Sequence, residues 1–182
     1  TLFPYTTLFR SLNRAEFLRE MTLRICSGLE IKETLRNAFE YLREHFSFDG
    51  LILFILDKRM GAVRHIAQAF NEGVVPPDEI IPLPKGMLEK IAARNFSAPF
   101  VADVEEDEIF HYFAPLVQLE GNTDLIVPLH ISGKLLGGVA LRVRGACRYT
   151  EEQVEFFGCI ARPFALALAN TLAHEEVLRY QA

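Results

Sequence analysis

The chain lacks a basic stripe. Its 19 Lys and Arg are outnumbered by 24 Asp and Glu, for a net charge of -5. Phosphate neutralisation needs clustered Lys and Arg, so direct nucleic-acid binding by this segment is not expected. No run of apolar residues approaches the roughly 18 that would mark a membrane span. Cysteine is scarce: there are 3, at Cys26, Cys147 and Cys159. An odd number at irregular spacing argues against a disulfide framework and points to a reducing, cytoplasmic setting. No phosphate-binding Gly-x-x-x-x-Gly-Lys-Ser/Thr pattern, internal repeat or low-complexity tract is present. What remains is 182 residues, 50% hydrophobic and 24% charged, which suits one globular domain with a sizeable core. Thr1 to Ser11, TLFPYTTLFRS, stands apart. It resembles the translation of a sequencing-adapter oligonucleotide and has no signal-peptide pattern, so residues 1–11 are read as non-native.

Two amphipathic helices are predicted first. Phe17, Leu18, Met21 and Ile25 form a stripe over 13–27, which Ser27-Gly28 stops. Ile31, Leu35, Ala38, Phe39, Leu42 and Phe46 form a second over 31–46. Leu51 to Leu56 is apolar on both faces, as in a central strand buried on two sides. Residues 62–70 read as its hairpin partner. The middle third is punctuated by Gly73, Pro76, Pro77, Pro82, Pro84 and Gly86, with a short helix expected over 86–94. An irregular stretch with an acidic loop, Asp103 to Glu108, and the run Ile109 to Phe113 fits a binding loop or lid.

A second hairpin is predicted over 124–131 and 135–143, joined by Ser132-Gly-Lys134. Gly137-Gly138 inside it signals a bulge or a close backbone approach. Arg142 and Arg144 are expected to mark a strand end facing water. Thr150-Glu-Glu-Gln153 fits a capping box opening a long helix, and Pro163 should bend that helix near Cys159. Strands enclosed by helices at both ends give an α+β fold, an antiparallel sheet with the terminal helices on one face.

Leu125-Ile-Val-Pro-Leu129, then Ser132-Gly-Lys-Leu-Leu-Gly-Gly-Val-Ala-Leu141, then Tyr149-Thr-Glu-Glu-Gln-Val-Glu-Phe-Phe157 resembles the signature of the GAF domain family. The resemblance spans roughly residues 13–178, and the domain is placed at 12–178. Asn13 to Cys26 is similar to the start of the sensory GAF domains of bacterial sigma-54-dependent transcriptional regulators. The resemblance implies a GAF-like (PAS-like) central antiparallel β-sheet of five or six strands. Helices from both termini cover one face, and a ligand pocket lies under irregular segments on the other. It also implies a C-terminal helix, 164–182, running into an output module. The bilin-attachment cysteine and the Asn-Lys-x-Phe-Asp-Glu pattern of cyclic-nucleotide GAF domains are absent.

Candidate pocket residues are Phe54, Phe70, Phe96, Phe100, His111, Phe113 and Val127. Such a set either lines a mostly apolar ligand pocket or fills a closed core. His111 with Asp103, Asp107 and Glu108 is a candidate metal group, although one His among surface carboxylates reads equally as a solvated loop. Cys147 sits beside Arg144 and Arg148, which would lower its pKa and make it a candidate reactive thiol. His45, His65, His130 and His174 are scattered, and no nucleophile, base and orienting group come together. Three functions follow. The first is a non-enzymatic small-molecule sensor, with a homodimer formed through the terminal helices and no membrane contact; no cofactor is specified. The second is a ligand-free GAF dimerisation scaffold. The third is a thiol-dependent methionine sulfoxide reductase.

Overall fold

The computed structural model describes residues 14–71 and 79–182. Thr1 to Ser11, Gly73, Pro76 and Pro77 lie outside the described residues.

Helix α1 (Arg14–Cys26) buries Phe17, Met21 and Ile25, the four-residue spacing that one helix face requires. Leu18, expected on that stripe, is instead over a third exposed. Helix α2 (Ile31–His45) buries Leu35, Ala38, Phe39 and Leu42 and stops where Phe46 turns extended, φ -131°. Strands β1 (Gly50–Asp57) and β2 (Ala62–Phe70) form the first hairpin. The middle third adds β3 (Glu79–Pro82), α3 (Met87–Arg94), β4 (Phe100–Val101) and α4 (Glu108–Phe113). Strands β5 (Asn122–Ile131) and β6 (Lys134–Arg144) form the second hairpin. Its two-residue turn has φ 51° at Ser132 and 76° at Gly133, the mirror-image turn whose twist suits paired strands.

The six strands make one antiparallel sheet in the order β3-β2-β1-β6-β5-β4. Alternation along each strand gives the sheet two apolar faces. Leu51, Leu53, Ile55, Val127, Leu129, Val139 and Leu141 enter the main core beneath α1, α2 and the C-terminal helices. Its largest side chains are Phe17, Phe39, Phe46, Phe157 and Phe164, each of which stabilises the fold by roughly 2–3 kcal/mol through burial. On the opposite face a smaller core gathers Ile81, Ile91, Ile109, Phe113, Leu119 and Leu135.

Helix α5 (Glu151–Gly158) opens on the expected capping box. Thr150 Oγ1 accepts from the Gln153 N–H at 3.1 Å, and Gln153 Oε1 accepts from the Thr150 N–H at 2.9 Å. The expected bend near Cys159 is a break, after which α6 (Ala161–Gln181) begins. Pro163 falls in the first turn of α6, where the missing N–H has no intrahelical partner to lose. Part of the stretch Glu151–Gln181 is long and apolar enough, by length and composition alone, to pass for a membrane span. Phe164, Ala165 and Leu168 of α6 are buried in the main core. Arg14 and Glu155, 3.5 Å apart, and the Phe17 and Phe156 rings, 4.3 Å apart, tie α1 to α5.

Candidate functional site

A cavity of about 120 Å³ lies between the sheet and the covering segment, on the face away from the long helices. Its floor is a gap in the side-chain layer. Phe54 of β1 and Pro128 of β5 both stand opposite Gly138 of β6, which offers no side chain between them. A Cβ at Gly138 would sit 3.4 Å from Ile126 Cγ2, at the floor of the cavity. The neighbouring Gly137 is needed for a different reason. A Cβ there would run into the Phe54 carbonyl oxygen and come within 2.8 Å of Ile55 Cα, the close backbone approach expected from the glycine pair.

The roof is aromatic. Phe96 and Phe100 stack with centroids 4.8 Å apart and planes 16° apart, and Phe110 tilts onto Phe100 at 5.4 Å and 57°. The Arg94 guanidinium lies over Phe96 at 4.4 Å. The same guanidinium pairs with Asp107, whose carboxylate caps α4 by accepting from the Ile109 N–H at 3.0 Å. Helices α3 and α4 are thereby fastened to each other and to the ring cluster.

One charged side chain reaches the cavity wall. Asp124 of β5 faces Arg142 of β6 across the ladder. Arg142 Nε donates to Oδ1 at 2.8 Å and Nη2 donates to Oδ2 at 2.9 Å, a two-point fork. Nη2 also donates to the Val117 carbonyl at 2.8 Å, so the pair holds the end of the roof segment. Their side chains are 1% and 7% exposed. Burial pushes the Asp124 carboxyl above its ordinary value, while the Arg142 fork pulls it back down. The expectation that Arg142 faces water is therefore corrected: it is a buried partner, and only Arg144 reaches the solvent.

Of the residues expected to line a pocket, Phe54, Phe96, Phe100 and Phe113 line this cavity. Phe70, His111 and Val127 do not. Val127 points to the opposite face of the sheet, into the main core, because it pairs with Val139. Phe70 stands at the far end of β2, over Gly50. His111 is exposed on α4, its Nδ1 3.3 Å from the Val104 carbonyl. Phe110, Asp124 and Gly138 also line the cavity, though they were not among the named candidates.

The acidic loop is engaged in its own geometry. Asp103 Oδ1 accepts from the Glu105 and Glu106 N–H groups at 3.1 and 3.0 Å, and Asp107 serves as cap and ion-pair partner. No group of three or more His, Cys, Asp or Glu suited to a metal occurs among the described residues. Cys147 is half-buried, and burial pushes its thiol up, opposite to the lowering expected from Arg144 and Arg148. Two of the scattered histidines carry a buried ring nitrogen. His65 Nε2 and His130 Nε2 are buried with no hydrogen-bond partner among the described residues. His65 lies against Phe54 with centroids 5.2 Å apart, and burial holds its pKa down. His130 borders a second hollow of about 540 Å³ between β5, the 97–99 segment and the start of α6.

The GAF domain family model matches residues 28–169. No curated protein matches. Many solved structures do. One is the GAF domain from a phosphoenolpyruvate-protein phosphotransferase of Coxiella burnetii, with TM-score 0.67, 21% identity, and coverage of 90% of this chain and 97% of that one. Another is the free methionine-R-sulfoxide reductase of Neisseria meningitidis in complex with its substrate, with TM-score 0.64, 15% identity, and coverage of 96% and 98%. A third is the phycocyanobilin-bound GAF domain of a cyanobacterial phytochrome, with TM-score 0.62, 16% identity, and coverage of 90% and 97%. At these identities the likeness is one of fold. A six-stranded antiparallel sheet, helices on both sides and a family match over most of the length lead to one conclusion: the chain belongs to the GAF domain family, a family of regulatory sensory domains.

Proposed function

We propose that this chain is a sensory input domain that binds a small molecule in the cavity above Gly138 and passes its occupancy to an output module through α6. The observation that carries the reading is the glycine gap in the floor beneath a roof of stacked rings. A closed core would fill that gap with a side chain. Strand β5 supplies the coupling. Its Ile126 and Pro128 face the cavity, while Val127 and Leu129 on its other side enter the core beneath α6. A ligand that shifts β5 moves the bed on which α6 lies, and it does so only to the extent that it binds one arrangement better than the other. The narrower reading is signal input for a sigma-54-dependent transcriptional activator, supported by the likeness of Asn13 to Cys26 to the start of those sensors.

The test is nuclear magnetic resonance of the labelled chain against a small-molecule panel, beside a Gly138→Val variant that fills the floor. The expected result is a set of binders that move Ile126 and α6 signals in the native chain and not in the variant. A panel that moves nothing, or moves both proteins alike, sinks the reading.

A second reading, the ligand-free dimerisation scaffold, is favoured by apolar side chains left exposed on the terminal helices: Leu23 on α1 and Leu166, Val177, Leu178 and Tyr180 on α6. A homodimer through these helices is compatible with sensing as well. The scaffold reading requires a dimer by light scattering together with a panel that moves no signals, whereas a dimer whose signals a binder moves is a sensor.

A further inference from the structure

We infer that the ligand of this cavity is an uncharged apolar molecule the size of a single aromatic ring. The inference rests on the sensory reading above and specifies its ligand. Size comes first. At about 120 Å³ the cavity is slightly smaller than the roughly 150 Å³ apolar cavity known to stay dry and take up benzene, so it holds one ring and not two.

Charge comes next. Asp124 is the one charged or polar side chain among the lining residues. Both of its oxygens accept from Arg142, whose Nη2 also donates to the Val117 carbonyl, and Arg142 itself is not among the lining residues. A ligand anion would meet no Lys, Arg or His at the cavity wall and would lie near a carboxylate. A ligand cation would have to compete with a two-point guanidinium fork already in place. Either would be buried without a partner.

Shape decides between ring and chain. Phe54, Phe96, Phe100, Phe110 and Phe113 reach the cavity from four separate segments, the last two from α4, and three of the rings already pack as a stacked and tilted cluster. A flat guest extends that packing with an edge or a face at the preferred 4.5–7 Å spacing. A saturated ring of the same size fills the space but gains none of the ring-to-ring geometry.

Titration of the full chain with toluene, cyclohexane and benzoate, read by amide chemical shifts, tests this. Toluene should saturate with a Kd of about 10–1000 μM. Cyclohexane should bind about 3- to 10-fold more weakly, and benzoate at least about 100-fold more weakly. Gly138→Val should weaken toluene by at least about 10-fold through lost space. Phe110→Ala, on a partly exposed ring, should bind naphthalene at least about 10-fold more tightly than the native chain does, and it supplies the answer if Gly138→Val does not fold. Benzoate binding more tightly than toluene overturns the ligand class and leaves the cavity as a sensory site. Toluene that binds without moving α6 confirms the class and sinks the sensory reading. No response to toluene in the native chain and to naphthalene in Phe110→Ala overturns the inference outright.

Discussion

Removing Asp124 should cost far more than removing the pair to which it belongs. In Asp124→Leu the Arg142 guanidinium, 7% exposed, keeps the Val117 carbonyl and loses both oxygens at 2.8 and 2.9 Å. A buried cation without its counter-ion costs about 3–5 kcal/mol. With a urea slope of about 2 kcal/mol/M, the midpoint should fall by about 1.5–2.5 M. Arg142→Met alone leaves a buried carboxylate and should fall in the same range. The double variant Asp124→Leu/Arg142→Met buries no charge and should lie within about 1 kcal/mol of the native chain. Circular dichroism during urea unfolding of all four proteins gives the coupling energy, expected to exceed about 3 kcal/mol. If either single variant unfolds within 1 kcal/mol of native, or if the double variant loses the sum of the singles, the buried fork is not what holds β5, β6 and the end of the roof together.

The Thr150 cap, His65 and Cys147 each lead to a further expected outcome. Thr150→Ala removes the hydroxyl that accepts from Gln153 and should lower stability by about 1–2 kcal/mol, with Thr150→Ser restoring most of it; equal urea midpoints for all three proteins would count against the capping box. Burial lowers the His65 pKa in the folded chain, so the unfolded chain binds the proton more readily. Stability should therefore hold above about pH 6.5 and decline as pH falls below it, and His65→Phe should flatten the decline; an unchanged pH profile in that variant would refute the assignment. Because burial raises the Cys147 thiol while Cys26 is exposed, iodoacetamide at neutral pH should label Cys26 before Cys147, as peptide mass mapping would show; the reverse order would return Cys147 to the reactive class.

Periodicity made some of this legible and geometry hid the rest. Phe17, Met21 and Ile25, or Leu35, Phe39 and Leu42, announce their helices because residues four apart must share a face. Thr150 and Gln153 announce a cap because both halves of the reciprocal bond lie three residues apart. Val127 shows where that kind of reading stops. The alternation Leu125, Val127, Leu129 reveals a buried face, but both faces of this sheet are apolar, and only the partner strands decide which face meets the helices. The Asp124–Arg142 pair did leave a trace, two opposite charges on the arms of a hairpin turning at Ser132-Gly133. The register shift between Leu129 and His130 brings them face to face, and a one-residue shift is not written in composition. Phe110 was overlooked in favour of His111 because α4 spans six residues, too few to display a helical period. Strand β4, two residues long, has no pattern to read.

The two central strands come from opposite halves of the chain. Gly50 to Ile55 of β1 lies against Gly137 to Arg142 of β6, with β2 and β3 outward on one side and β5 and β4 outward on the other. Each half therefore ends in a raw inner edge that only the other half can cover. During synthesis the first hairpin must wait about eighty residues for its neighbour, a long closure that favours slow, all-or-none assembly. The same seam makes the domain divisible. A cut between Pro82 and Met87 follows that seam and leaves two polypeptides with complementary edges and complementary halves of one core. Their reunion would report that whatever each piece is fused to has come within reach of the other.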